Sequence, residues 1–516
     1  MTQAELIAAL ASALGPENVL HRPGELRAYD ADGYVAQRHP PRAVVFPEST
    51  EQVSRAVKIL HDAGVPFLPR GAGTGLSGGA TPTRGEVVLS LARMDKLLRI
   101  DYENQRAVVQ PGFINLQLSR QVAGRGFYYA PDPSSQSVCT LGGNLAENAG
   151  GSHCLKYGVT TNHIVAAEVV MPDGEIVEFG AECGDAPGYD LLGLLVGSEG
   201  TLGIATAITV RILKKPEAVR TILAMFDRVE DASDAVSAII AAGIIPAAVE
   251  MMDQLAMQAV DRSHYHVGYP TDIEAVLLVE VDGLAAGVEE LAERIAGICR
   301  ECGVRTVAAA KTEAERALWW SSRKMAFGAA GRLAPDYIVQ DGVIPRTKLK
   351  EVLREIYALG AASGLRIANV FHAGDGNLHP LICYDARVPG QAQKAAAVGS
   401  RILALCVDAG GSITGEHGVG IEKIDDMAHM FQDVDIAAQT ALRAAFNPRD
   451  LCNPGKLIPH PARCAEVRRA RAVIERHGAV FERLEEQAAV QAGGAEAPER
   501  AAAAGERGGA AWKTTP

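Results

Sequence analysis

The chain has 516 residues, room for about three domains at roughly 150 residues each, and 48% of them are hydrophobic, which excludes a disordered polymer. Its 62 acidic against 50 basic side chains leave a net charge of −12, a balance that repels polyanions and makes nucleic acid a poor partner. Nine scattered cysteines, an odd number, suit reduced thiols in a cytosol rather than a disulfide framework.

The opening MTQAELIAALASAL carries no basic n-region and no early arginine, so neither a signal peptide nor a presequence is expected. Residues 43–46 read as a strand, followed by an amphipathic helix over 49–63 capped by Ser49 or Thr50. A strand at 65–69 runs straight into RGAGTGLSGGA. Further strands are expected at 87–91, 107–110, 165–171 and 175–179, the last two joined by the hairpin dipeptide Asp173-Gly174. KKPE at 214–217 marks a boundary. Beyond it the pattern becomes strand–helix–strand twice: TILAMFD, DASDAVSAIIAAG and PAAVEMM, then AVLLVEVD, GVEELAERIAGICRECG and VRTVAAA. Two such units in series predict an antiparallel sheet backed by helices, of ferredoxin-like type. The longest nearly apolar run, 235–249, is too short for a bilayer and contains Ser237, Gly243 and Pro246, so no transmembrane segment is expected. Cys299 and Cys302 end the second helix with no second C-x-x-C, which reads as packing rather than redox or zinc chemistry. After Pro461 the composition turns to Ala, Glu, Arg and Gly; a helix is expected over 463–490 and disorder beyond it.

Gly73-Thr-Gly75-Leu-Ser-Gly78 satisfies the letter of a dinucleotide fingerprint, but Pro82 and Gly85 stop the helix that should open after it. The nicotinamide reading fails on that context. A run of small residues still exposes successive backbone N–H groups that can cradle phosphate without a helix. PDPSSQSVCTLGGNLAENAGG at 131–151 and GSEGTLGI at 197–204 have the same capacity. One such loop is ordinarily a tight turn; several in one domain, with NPGK at 453–456, point to an extended phosphate-bearing cofactor.

In FHAGDGNLHP the Gly-Asp-Gly-Asn centre is turn chemistry, so His372 and His379 are expected to face each other across a hairpin, close enough to chelate one ion. GGSITGEHGVG adds Glu416 and His417. Two imidazoles and one carboxylate with open positions suit a catalytic zinc site, and manganese, iron or cobalt fit similar ligands.

PRGAGTGLSGG, PDPSSQ, GGNLAENAGG, KYG and GSEGTLGI together resemble the FAD domain of the vanillyl-alcohol oxidase/p-cresol methylhydroxylase superfamily. To about residue 462 the chain is similar to its FAD-linked glycolate oxidase family, kin of D-lactate and D-2-hydroxyglutarate dehydrogenases. The resemblance implies an α+β chain. It would comprise a two-part FAD-binding domain at 1–216 and a ferredoxin-like α+β substrate or cap domain with the metal site at 217–405. A C-terminal helical segment at 406–461 would return to the FAD domain, leaving a low-complexity tail at 462–516. The FAD pyrophosphate would lie on Arg70, Gly71, Gly73, Thr74, Gly75 and Ser77, and the flavin against Pro131, Thr140, Gly142, Gly143, Asn148, Gly150 and Gly151. Gly158, Glu199, Gly200 and Ile204 would meet the adenosine half, with Asn453 also in the cofactor site. Thr74 stands where some relatives attach FAD through histidine, so the FAD is expected to be non-covalent.

By the same resemblance His372, His379 and Glu416 match the metal ligands and His417 the catalytic base, while Arg323 is the candidate clamp for a substrate carboxylate. The implied reaction oxidises a short (R)-2-hydroxy acid, glycolate first and D-lactate second, by metal-assisted proton abstraction and hydride transfer to flavin N5. Val339 or Gln340 stands where the 2-hydroxyglutarate enzymes carry a lysine, which disfavours a diacid; a D-2-hydroxyglutarate dehydrogenase and a non-catalytic electron-relay subunit are the alternatives. No ferredoxin-type cysteine run occurs, so oxygen, a soluble acceptor or another protein is expected to take the electrons; the resemblance implies flavin-type and iron–sulfur partner subunits. The expected location is cytoplasmic, peripheral to the inner membrane through those partners.

Overall fold

The computed structural model describes residues 1–182 and 187–459; the tail from 462, with the helix expected over 463–490, lies outside the described residues. The N-terminal half holds two main sheets and a two-stranded one pairing Phe127–Tyr128 with Leu213–Lys214. The first orders Val19–Leu20, Ala43–Val45, Val87–Ser90 and Phe67–Arg70. Its last three strands run parallel, one crossover made by helix Thr50–Ala63 and the other by the helix-free loop at 71–86. Helices Gln3–Leu14 and Thr50–Ala63 cover it with a stripe of Leu6, Leu10, Val53, Val57 and Leu60. Ser49 caps the second helix, accepting from the Gln52 amide, and Gly64 closes it with a left-handed φ of 64°. The second sheet is five-stranded and antiparallel, and includes the hairpin of Ile164–Val170 and Ile176–Gly180 around Asp173-Gly174.

Residues 218–384 build one seven-stranded antiparallel sheet. Its strands are β1 (Ala218–Phe226), β2 (Ala248–Asp253), β3 (Ala275–Gly283), β4 (Thr306–Ala309), β5 (Asp336–Val339), β6 (Arg366–His372) and β7 (Asn377–Tyr384). The order β4-β1-β3-β2 is the expected ferredoxin-like arrangement, and β6-β7-β5 extends it past β2. Both faces are covered. Ala275, Leu277, Val279 and Val281 enter one core, beneath helices Val229–Ala241 and Ala285–Glu301, while Val276 and Leu278 enter the other. Cys299 is buried in the first core and burial pushes its thiol up to about 12, as a packing role demands.

After helix Gln391–Asp408 the chain leaves this sheet and comes back to the N-terminal half. Cys452 pairs with Phe67 beside the first sheet, and Asn447 Nδ2 donates to the Thr201 carbonyl at 3.1 Å. Among the described residues no helix is long and apolar enough to cross a membrane.

A polar seam joins the two halves. His153 stacks on Trp320 with ring centroids 5.4 Å apart; its Nδ1 lies 2.9 Å from Asp132 and its Nε2 3.3 Å from Glu280. Burial alone would depress this imidazole, but Asp132 and Glu280 flank it and raise its pKa to about 10. Glu280 moves the other way: burial would raise it, while His153 and Arg316 hold it down to about 2. The stabilisation from His153 is therefore fully present below its unfolded value of 6.5 and is lost as pH rises towards about 10. That from Glu280 is complete above 4.5 and is lost as pH falls towards about 2. The melting-temperature advantage of the wild type over His153→Phe should be largest between these limits and shrink on both sides; an advantage independent of pH would contradict the charged seam.

Candidate active site

A cleft of about 300 Å³ runs through the N-terminal half to the edge of the seven-stranded sheet. Of the cofactor residues expected from sequence, Arg70, Gly71, Gly73, Thr74, Gly75 and Thr140 line it, as do Gly142, Gly143, Gly150, Glu199, Gly200 and Ile204. The other six stand behind the wall. Ser77 accepts the Ile421 amide on its carbonyl, and the Pro131 carbonyl accepts Asn115 Nδ2. Asn148 Oδ1 accepts the Thr161 amide, and Asn453 Nδ2 donates to the Gly79 and Glu199 carbonyls. Gly151 packs against the Asp132 main chain, and Gly158 ends the short helix Cys154–Tyr157.

The segment expected to be side-chain-poor loop throughout contains a helix, Leu141–Glu147. Thr140 caps it, its hydroxyl accepting from the Gly143 amide at 3.3 Å. Two glycines in the first turn weaken helix propensity and hid it. Gly142 is required there by close approach, since a Cβ would sit 2.5 Å from the Pro111 Cβ. The loop after strand Phe67–Arg70 opens no helix, as Pro82 and Gly85 predict, and Gly73 adopts a left-handed φ of 69°.

The histidines come from the far sheet. The alternation of strand residues puts Glu250 (β2), His372 (β6) and His379 (β7) on the face that carries Ala248, Val370 and Leu381. His372 and His379 were expected to be directly opposed. They are diagonal instead, His372 pairing with Asn377 and His379 with Val370, because the turn spans four residues, 373–376. Their rings still meet at 5.0 Å. Glu416 Oε1 lies 3.3 Å from His372 Nε2 and 3.1 Å from His379 Nε2, so three donors converge. His417 stacks on His379 at 4.9 Å and 10°. Glu416 and His417 reach the wall of the cleft that holds the glycine loops.

The charges are set by burial and neighbours. Burial would raise Glu416, but His372 and His379 hold it well below the usual carboxylate range. Burial, aided by His379, pushes His417 down to about 4 against the pull of Asp341, and leaves a neutral imidazole. Glu250 was not singled out from sequence, although a lone acid in the apolar strand PAAVEMM was a signal. It sits directly across the ladder from His372, with Oε1 2.8 Å from Nδ1. A carboxylate behind a ligand-type histidine fixes its tautomer and ring plane.

Arg323 lies in the last turn of helix Glu313–Lys324 and is 1% exposed. Its guanidinium pairs with Glu250 behind His372, its Nε has no partner, and it does not line the cleft, whereas Phe327, four residues on, does. Gln340 is buried, 3.5 Å from Glu422, and also off the cleft; Val339 ends β5. Asp341, His379 and His417 form a second convergent group, but backbone amides and Lys423 already fill the Asp341 carboxylate.

Residues 41–180 match the family described as FAD binding domain, and residues 215–457 the family described as FAD linked oxidases, C-terminal domain. The chain is 50% identical to glycolate oxidase subunit GlcD of Escherichia coli (strain K12) over 448 residues, 87% of this chain and 90% of the relative. It is 34% identical to D-lactate dehydrogenase of Anaerostipes hadrus over 428 residues, 81% of this chain and 89% of the relative. The structure superposes on p-cresol methylhydroxylase with a TM-score of 0.75 at 18% identity, covering 88% of this chain and 96% of that one. The chain is therefore an FAD-binding oxidoreductase on the vanillyl-alcohol oxidase/p-cresol methylhydroxylase fold, and it belongs to the FAD-linked oxidase family that includes the GlcD subunits of glycolate oxidase and D-lactate dehydrogenases.

Proposed function

We propose that this chain oxidises a short (R)-2-hydroxy acid, glycolate to glyoxylate first and D-lactate second, with non-covalent FAD and a divalent metal, zinc by preference. The observation that carries the reading is that Glu416 and His417 line the same cleft as the glycine loops. An electron-relay subunit has no use for a convergent donor set there.

The residues present fit both groups. Gly71, Gly142 and Gly143 keep the cleft wall free of side chains, and His372, His379 and Glu416 offer two imidazoles and a carboxylate, a donor set suited to zinc. When bound, FAD supplies the two-electron acceptor and the divalent ion a Lewis acid for the substrate hydroxyl. His417 takes the hydroxyl proton, since its buried imidazole is neutral and its Nδ1 has no partner. Arg323 serves as counter-ion to Glu250, and a clamp on the substrate carboxylate would have to use its unpartnered Nε, which lies buried off the cleft. Phe327 edges onto His379 at 5.6 Å and narrows the substrate end of the cleft. Electrons then pass to flavin-type and iron–sulfur partner subunits, which would hold the chain at the periphery of the inner membrane.

The test is an anaerobic screen of glycolate, both lactates and both 2-hydroxyglutarates against one artificial acceptor, with and without chelator, with a separate sample acid-precipitated to release its FAD. Turnover of glycolate and D-lactate that the chelator abolishes is expected. Preference for 2-hydroxyglutarate, indifference to chelator, or flavin left in the acid pellet would each overturn the corresponding part.

A further inference from the structure

The loop bearing Glu416 and His417 belongs to no helix or strand, yet every backbone amide from Gly415 to Gly420 donates to a side chain. Asp341, fully buried just after β5, takes the first three: Gly415 at 3.0 Å, Glu416 at 3.2 Å and His417 at 2.9 Å. It also accepts the Thr414 hydroxyl at 2.5 Å and Lys423 Nζ at 3.3 Å. Thr414 Oγ1 in turn accepts the Gly418 amide at 3.0 Å. Glu199, from the N-terminal half, takes Val419 at 2.7 Å and Gly420 at 2.9 Å. A carboxylate from each half of the molecule thus holds one end of the same segment.

We infer that Asp341 is a positioning residue: through the main chain of residues 415–417 it fixes where the Glu416 carboxylate and the His417 ring point. This rests on the metal and base roles proposed above. The chemistry demands an ionised acid, because the Thr414 hydroxyl, three backbone amides and the Lys423 ammonium all donate to Asp341 and only a carboxylate offers acceptors alone. An amide at this position would turn N–H towards N–H or towards the Lys423 ammonium. Sites outside the first ring of ligands commonly set metal affinity by about 10- to 100-fold through orientation alone.

The experiment uses the full-length flavoprotein, stripped of metal and titrated with Zn²⁺ against a chromophoric chelator, alongside steady-state turnover of glycolate with dye. Thr414→Val removes the hydroxyl that links Asp341 to Gly418 without changing shape, Thr414→Ser restores it, and Asp341→Asn tests the charge. Thr414→Val should weaken zinc binding roughly 10-fold or more. It should lower kcat more than it changes KM, with FAD content and melting temperature as in the wild type; Thr414→Ser should recover both, and Asp341→Asn, where it folds, should exceed the loss. Wild-type zinc affinity and kcat in Thr414→Val would overturn the inference, as would a loss that only tracks lost flavin and that Thr414→Ser fails to repair. A wild type that binds no zinc would sink the metal reading instead, and the split between kcat and KM would then decide the positioning role.

Discussion

His417→Ala is expected to lower dye-linked oxidation of glycolate by about 10²- to 10⁴-fold, the range associated with a positioned general base, while FAD stays bound. The residue is suited to the task by protonation and by place. Burial pushes its imidazole down to about 4, so at neutral pH it is a proton acceptor rather than a cation. Stacking on His379 at 4.9 Å fixes the ring plane, and Nδ1 is buried without a partner, a donor-acceptor position the folded chain leaves open. The glycine-loop wall is built by other residues, so the flavin content and its visible spectrum should match the wild type. Anaerobic bleaching of the flavin by glycolate should slow by the same factor, which separates a lost base from a lost acceptor. Unchanged turnover, or loss of the flavin with the activity, would remove His417 from the reaction.

How far the sequence discloses this site depends on how local each signal is. The glycine loops are legible because small residues after a strand mean close approach wherever they fall. The pairing of His372 with His379 is legible because both flank one turn, although the turn's length, and so the diagonal register, is settled only by the pairing of Asn377 with His372. Glu416 and His417 announce themselves by the glycines around them. Glu250 and Asp341 do not, since the groups they serve lie 122 and about 75 residues away in the chain and meet them only across the folded sheet. The helix Leu141–Glu147 hid behind two glycines in its first turn, of which Gly142 is held to that size by close approach to Pro111. The ferredoxin-like order was readable from two repeated units, whereas the added strands β5, β6 and β7 come from separate stretches with no repeat to group them.

Glu250→Ala should cost about 3–5 kcal/mol, the scale observed when one partner of a buried ion pair is removed. Glu250 and Arg323 are each about 1% exposed, and the acid also holds His372 Nδ1 at 2.8 Å. Burial alone would raise its pKa, and Arg323 with His372 more than offsets that, so the group is ionised in the fold. Without it Arg323 is a guanidinium with no counter-charge in an apolar core, and His372 loses the acceptor that fixes its tautomer. A double replacement separates these consequences. Glu250→Leu with Arg323→Met removes both charges, and buried pairs replaced by apolar residues of similar volume are often neutral in stability. Urea unfolding should therefore show most of the stability restored. Zinc binding and glycolate turnover should stay impaired, because nothing orients His372 and the candidate carboxylate donor is gone. A double variant as unstable as Glu250→Ala would mean that the pair is held by packing that leucine and methionine cannot replace. One that recovered zinc affinity along with stability would show that His372 needs no carboxylate behind it.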